Sequence, residues 1–404
     1  AFKEKAESGE LEEGQWLMGM GLDPASFTGT KTITKYDLDK ASKDIPICAI
    51  HASGHVAYLN STAMEKVGYV GEFTVPEGGA VPNIPGTDDP SGLVEEAAYL
   101  GQAKMVPPSG AQVLKSIMKA EKLYASYGIT TTQDAFTDGG TYPLLKAAAD
   151  NHMLYLDVTS YVGSTKADEL LPQKAESPRA GYTNHYRMGG AKMFLDGSPQ
   201  AKTAWLTQPY YIAPEGKDAS YKGFPVMEDE QVYAYCKKCL ENNWQLHTHC
   251  NGDAAADQLI RCYKKAQKDT GNYSDLRPVM IHAQTVREDQ LDEMKEIGMI
   301  ISFFLDHIYY WGDWHYESVF GPERAARISP AKSALNRGIN FTLHQDTPVV
   351  APDTLLAMHN AVNRTTKGGR VLGEEQRISV MEAIKALTIN GAYQYFEEDI
   401  KGSV

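Results

Sequence analysis

The chain has 404 residues, a hydrophobic content of 42% and a formal net charge of -13. This length and composition predict a globular protein with a sizeable core, in one large domain or two ordinary ones. The acidic balance leaves no general basic surface for phosphates, so we expect no nucleic-acid or membrane partner and favour a small-molecule substrate.

The cysteines and the chain start bear on the cellular compartment. The five cysteines are an odd and scattered set, which argues against a disulfide framework and favours a reducing compartment. Cys236 and Cys239 form a CxxC pair within a stretch of helical periodicity, so we interpret them as ordinary helix cysteines. The chain opens without Met and without a signal peptide, so we expect a cytoplasmic protein whose native N-terminus is absent.

Residues 1–111 have weak periodicity and include a Gly/Pro-rich stretch at 71–92. For this segment we expect loops and short helices that cover the mouth of the domain that follows.

From about residue 112 onward, short β-rich runs alternate with helical stretches, which is the pattern of repeated βα units. The predicted strands cover residues 128–135, 154–162, 189–197, 244–250, 278–284, 298–304 and 339–346. Seven strands are one short of a closed barrel, so residues 112–404 predict an α/β fold, an incomplete TIM-type (β/α) barrel. The alternative, an open doubly wound sheet, lacks a glycine-rich phosphate loop after its first strand.

Several predicted strands end in side chains that bind metals, at the end of the barrel where active sites lie. Imidazole and carboxylate groups suit zinc and related divalent ions. One such side chain on a strand is more often structural than functional, but a set at one barrel end predicts a hydrolytic metal site. The set consists of Lys192, His249, His282 and Asp346.

Short motifs in the sequence point to a family. A His-x-x-Gly-Asp element lies at 249–253 and a His-Ala-Gln element at 282–284. With SGHVAYLNSTAM, GITTTQDA, KMFLDGSPQAKTAWLTQPY, QDTPV and ISVMEAIKALTINGAYQYF, they follow one another in order along nearly the whole chain. These segments resemble those of the amidohydrolase superfamily, in the branch related to N-substituted formamide deformylase.

The resemblance implies an enzyme that hydrolyses an amide-like C–N bond with metal-activated water, using one or two divalent ions, for which we expect zinc. It implies that Lys192 is a carboxylated lysine that bridges the ions. It also implies that His249 and His282 are metal ligands and that Asp346 both binds metal and transfers protons.

Further histidines stand near this set. The resemblance implies that His55 lies near the substrate, and His307 follows the predicted strand 298–304 among aromatic residues, which favours a substrate-pocket role. Because alternate side chains of a strand share a face, His247 points with His249, and His344 points with Asp346 in the same way. The family usually has small or apolar residues at 247 and 344, so we expect these two histidines to have a structural role or to orient a ligand, rather than to bind metal.

The chain departs from the family at its first strand. A His-x-His pair in a phrase resembling PGFIDxHxH is absent, and the pair formed by His247 and His249 is followed by only 155 residues. This is too short for seven further βα units. We therefore interpret the sequence as lacking the first barrel strand and the flanking β-sandwich.

Two other functions stay open. One is a non-catalytic, ligand-binding homologue with an incomplete metal site. The other is a hydrolase of a cyclic amide or a phosphoester, because a fold does not determine a reaction. The oligomeric state is also open, with a homodimer as one option.

Overall fold

A computed structural model of the chain describes residues 1–9, 11, 14–22, 24, 33–51, 56–76, 79–100, 110–173, 181–214 and 216–403. The chain divides into two compact units, residues 1–113 and residues 114–404, here called the N-terminal unit and the barrel unit. His55 lies outside the described residues.

The described part of the N-terminal unit contains a small mixed sheet. Its strands are β1 (Leu17–Leu22), β2 (Ile47–His51), β3 (Val56–Leu59), β4 (Gly79–Ala80) and β5 (Leu93–Glu96). Its helices are α1 (Phe2–Glu7), α2 (Lys35–Asp39), α3 (Ser61–Val67) and α4 (Ala97–Leu100). The strand order is β1-β2-β3-β5-β4, with β1 and β2 parallel and the other pairs antiparallel.

This sheet differs from the loops and short helices expected for residues 1–111. It packs around apolar side chains such as Trp16, Cys48, Leu59 and Met64, all of them buried. Residues 1–111 have weak periodicity, and pairing between distant residues decides whether such short strands form. The expected position over the barrel mouth stays a prediction.

The barrel unit alternates strands and helices. Its strands are β6 (Thr131–Thr137), β7 (Asp157–Gly163), β8 (Tyr186–Phe194), β9 (Gln245–Cys250), β10 (Val279–His282), β11 (Ile300–Phe303) and β12 (Phe341–Leu343). After α5 (Gly110–Ser126), its helices are α6 (Thr141–Asp150), α7 (Ala167–Leu170), α8 (Asp229–Asn242), α9 (Asp253–Thr270), α10 (Glu288–Glu296), α11 (Asp306–Trp314), α12 (Gly321–Ala325), α13 (Ala331–Asn336), α14 (Thr354–Asn363), α15 (Val380–Leu387) and α16 (Ile389–Gln394). A π-helical turn covers His315–Val319 and a 3-10 turn covers Glu374–Gln376.

All seven predicted strands are present and form one parallel sheet in chain order, with β6 and β12 at its edges. The prediction of an incomplete TIM-type barrel is confirmed. The last strand is shorter than the predicted 339–346, because pairing stops at Leu343 and the backbone is left-handed at Asp346, with φ 55°.

Helices cover the sheet with their apolar faces. In α8, Val232, Cys236, Cys239 and Leu240 are buried at helical spacing, which agrees with the interpretation of the CxxC pair as helix cysteines. Burying one such aliphatic side chain contributes about 1.5–3 kcal/mol, so Leu240→Ala would cost about 2–5 kcal/mol. Within the described residues, no helix has the length and apolar content needed to cross a bilayer.

Candidate metal centre

The candidate ligands lie where neighbouring parallel strands end. His249 is the penultimate residue of β9, His282 is the last residue of β10, and Asp346 follows β12. The backbone is left-handed at His282, Ala283 and Asp346, with φ of 75°, 47° and 55°. Such conformations cost on the order of 1–3 kcal/mol each in non-glycine residues, and they concentrate at functional sites.

Three imidazole rings contact one another in a row. His249 Nδ1 lies 3.2 Å from His282 Nε2, and His282 Nδ1 lies 3.1 Å from His344 Nε2. His282, His344 and Asp346 each offer a ligand atom, and these atoms lie within 4.8 Å of one another. The structure therefore clusters two of the four predicted ligands, His282 and Asp346, with His344, and it places His249 in contact with His282.

The protonation states of His282 and Asp346 are compatible with binding a cation. Burial, reinforced by His249 and His344, lowers the pKa of His282 far below its usual range, so the ring is neutral and can coordinate. Asp346 is exposed to solvent at the mouth of the barrel, and this water stabilises its carboxylate. The surrounding protein acts in the opposite direction, because desolvation raises the pKa of Asp346. Neutral imidazoles beside a carboxylate form the donor set of zinc and related divalent ions, so the residues fit such a metal.

His249 Nε2 has both an acceptor and a donor nearby, so the ring can adopt either tautomer. The Gly197 carbonyl oxygen, an acceptor, lies 3.3 Å away, and Asn251 Nδ2, a donor, lies 3.2 Å away. When His249 Nε2 accepts a hydrogen bond from Asn251, the ring proton is on Nδ1 and points towards His282. When Nε2 instead donates to the Gly197 carbonyl, Nδ1 has no proton and is available to a metal.

Lys192, the fourth predicted ligand, lies on β8 and is 3% exposed. Burial lowers the pKa of Lys192 to about 8, and the nearby Asp346 opposes this shift. Its Nζ lies 4.9 Å from the centre of the Phe194 ring, and no hydrogen bond joins it to another described residue. A lysine in this setting has an appreciable population of the neutral amine near neutral pH.

Asp196 supports the loop that follows β9, a role that the sequence analysis did not assign. Its carboxylate accepts backbone N–H bonds from Asn251 at 2.9 Å, Gly252 at 2.7 Å and Trp205 at 3.0 Å. Burial raises the pKa of Asp196 to about 7, while these three donors act in the opposite direction. The only sequence signal was an aspartate near the end of a predicted strand, which is also typical of turns and caps.

The other predicted histidines have different surroundings. His307 is 2% exposed, packs 4.4 Å from the Phe304 ring centre and has no partner for Nδ1 among the described residues. His247 is fully buried and stacks on Tyr161 with ring centres 3.5 Å apart. Neither of its ring nitrogens is bonded to a described residue, so it orients no candidate ligand through a hydrogen bond.

A parallel, incomplete barrel with imidazoles and a carboxylate at its strand ends is typical of barrel proteins that bind metals. The sequence profile of the amidohydrolase family matches residues 1–404. The chain therefore belongs to the amidohydrolase family, which confirms the resemblance and supports a hydrolase.

Similar proteins cover almost all of the chain. YtcJ of Bacillus subtilis strain 168 is 24% identical over 406 residues, which are 98% of this chain and 73% of that protein. N-substituted formamide deformylase of Arthrobacter pascens is 21% identical over 409 residues, which are 98% and 72% of the two chains. The crystal structure of an uncharacterized metal-dependent hydrolase from Pyrococcus horikoshii OT3 matches with a TM-score of 0.74 and 22% identity, covering 97% of this chain and 74% of that one. This structural similarity shows the fold.

Proposed function

We propose that the protein is a metal-dependent hydrolase that cleaves an amide-like C–N bond of a small molecule. The observation that carries the proposal is the meeting of His249 and His282 at the strand ends beside Asp346. Family membership supports the reaction class. The similarity to N-substituted formamide deformylase makes N-substituted formamides the first substrates to test.

In this proposal Lys192, His249, His282 and Asp346 hold the metal, for which zinc is the first candidate. A bound divalent ion would lower the pKa of water from 15.7 to about 7 and polarise the substrate carbonyl. The uncharged amine available at Lys192 supports carboxylation of this side chain, which would allow it to bridge a second ion.

Protein side chains then transfer the protons of the reaction. Asp346 accepts a proton on its carboxylate as water attacks the carbonyl carbon, and it returns this proton to the leaving nitrogen as the C–N bond breaks. The products are a carboxylic acid and an amine. The buried Nδ1 of His307, which has no partner among the described residues, supports a hydrogen bond to the substrate.

Metal content and turnover test the proposal together. We expect the 404-residue chain to retain one or two zinc ions after dialysis, measured by plasma mass spectrometry, and to release amine from N-substituted formamides. His282→Ala and Asp346→Asn should lose metal and activity, whereas His359→Ala, at an exposed histidine of α14, should keep both. If neither this chain nor a version extended to include the first-strand histidine pair binds metal, the hydrolase proposal fails and a ligand-binding homologue is the better description.

A further inference from the structure

His344 lies beside the candidate metal centre, and its side chain is held in one orientation. Its backbone N–H donates to the Phe303 carbonyl at 3.0 Å, and its Nδ1 lies 2.9 Å from Ser302 Oγ. Its ring also stacks on the Phe304 ring, with centres 5.4 Å apart and an interplanar angle of 20°. These contacts leave Nε2 as the ring nitrogen that faces His282.

The distance between the two rings allows them to share a cation. His344 Nε2 lies 3.1 Å from His282 Nδ1. Two nitrogens bound to one tetrahedral zinc, each at about 2.0–2.1 Å, are about 3.3 Å apart, so little movement is needed. A direct hydrogen bond between the rings has a similar length, so the neighbouring groups decide between the two interpretations.

The position of Asp346 favours a shared cation. One ligand atom from each of His282, His344 and Asp346 lies within 4.8 Å of the others. Among the residues that the structure describes, no other group of three or more His, Cys, Asp or Glu side chains comes so close. His249 contacts His282 but is not a member of this group. A hydrogen bond between two rings needs no carboxylate beside it, whereas a cation is stabilised by one.

The group also has the composition and accessibility of a metal site. Two imidazoles and one carboxylate form a donor set that holds catalytic zinc and leaves a position open for water. Asp346 is exposed and His344 is partly exposed, so an ion can reach the group from solvent. Metal-binding histidines usually have a hydrogen-bond partner on the other ring nitrogen, and Ser302 Oγ is this partner at His344 Nδ1.

We propose that His344 is itself a metal ligand and that it forms a three-ligand site with His282 and Asp346. The inference rests on the proposed metal-dependent function, and it replaces the expectation that His344 only supports the site. The resemblance does not supply this ligand, because the family usually has a small or apolar side chain at 344. His249 and Lys192 then remain for a second ion.

His344→Gln distinguishes a ligand from an orienting residue. The glutamine amide can still form a hydrogen bond with His282, but it is a poor ligand for zinc. We therefore expect the zinc affinity, measured by competition with a chelator, to fall about 100-fold or more. If His344 only orients His282, glutamine should replace it with little loss. His315→Gln, at a buried histidine outside the group, is the matched control and should bind zinc as the wild type does.

X-ray absorption at the zinc edge provides a readout that a structural role of His344 would not change. With one equivalent of zinc per chain, the wild type should show two imidazoles around the metal. His344→Gln, at a concentration that saturates the weakened site, should show one imidazole fewer. If circular dichroism shows that His344→Gln does not fold, His344→Asn provides the same comparison.

An unchanged number of imidazoles in His344→Gln would overturn the inference whatever the affinity, because His344 would then act through His282. The proposed function would still stand if the wild type releases amine from N-substituted formamides. A wild-type chain that binds no zinc would also overturn the inference, because all three ligands lie within these 404 residues. If zinc binding depends on His344 but the wild type releases no amine, the inference stands and the proposed function fails.

Discussion

His247 and His249 lie two residues apart on β9 and share a face of the strand, yet their surroundings differ. His249 contacts His282, Asn251 and the Gly197 carbonyl at the barrel mouth. His247 lies deeper, stacked on Tyr161, with both ring nitrogens unpaired among the described residues. The comparison teaches that residue type and strand face do not determine whether a histidine can bind a metal. The groups that surround the ring nitrogens determine it.

The largest expected contrast between the two histidines is in metal binding. His249→Ala removes a proposed ligand and should weaken zinc binding by about 100-fold or more, whereas His247→Leu should bind zinc as the wild type does. Competition with a zinc chelator measures both affinities. An equal loss of zinc affinity in the two variants would show that His247 also belongs to the metal site.

The second prediction concerns another buried, neutral histidine, His315, and the dependence of protein stability on pH. Burial lowers the pKa of His315 to about 3 from its usual 6.5. The unfolded state then binds more protons than the folded state between these values, so stability is present above about pH 6.5 and is lost as the pH falls towards 3. Each histidine of this kind should contribute a slope of at most about 1.4 kcal/mol per pH unit.

His315→Gln should flatten this dependence in denaturant unfolding measured at several pH values. His359→Gln, at an exposed position, is the control for exchanging a histidine for a glutamine. A slope in His315→Gln equal to that of the wild type would show that this ring does not take part in acid destabilisation.

The smallest expected effect is on stability at position 247. A buried imidazole without hydrogen bonds costs about 1–3 kcal/mol of desolvation, so His247→Leu should be neutral or stabilising by up to about 2 kcal/mol at pH 7. Thermal unfolding compares it with Leu246→Ala, the neighbouring buried residue, which should destabilise by about 2–5 kcal/mol. A loss above about 2 kcal/mol in His247→Leu would mean that the ring has a bonding partner.

The sequence by itself determined the seven strands, the incomplete barrel and the family. It also identified the histidines and Asp346 at the strand ends. These features follow from local periodicity and from motifs, since a strand alternates its faces every two residues and a helix repeats its apolar face every 3.6.

Only the tertiary structure decided which of these side chains meet. The contact of His282 with both His249 and His344 depends on strand register and on left-handed backbone at His282, which no local pattern reports. The isolation of His247 and the backbone bonds of Asp196 likewise involve partners far apart along the chain. Hydrogen-bond partners are set by packing between elements, so the sequence could name the candidate residues but not their partners.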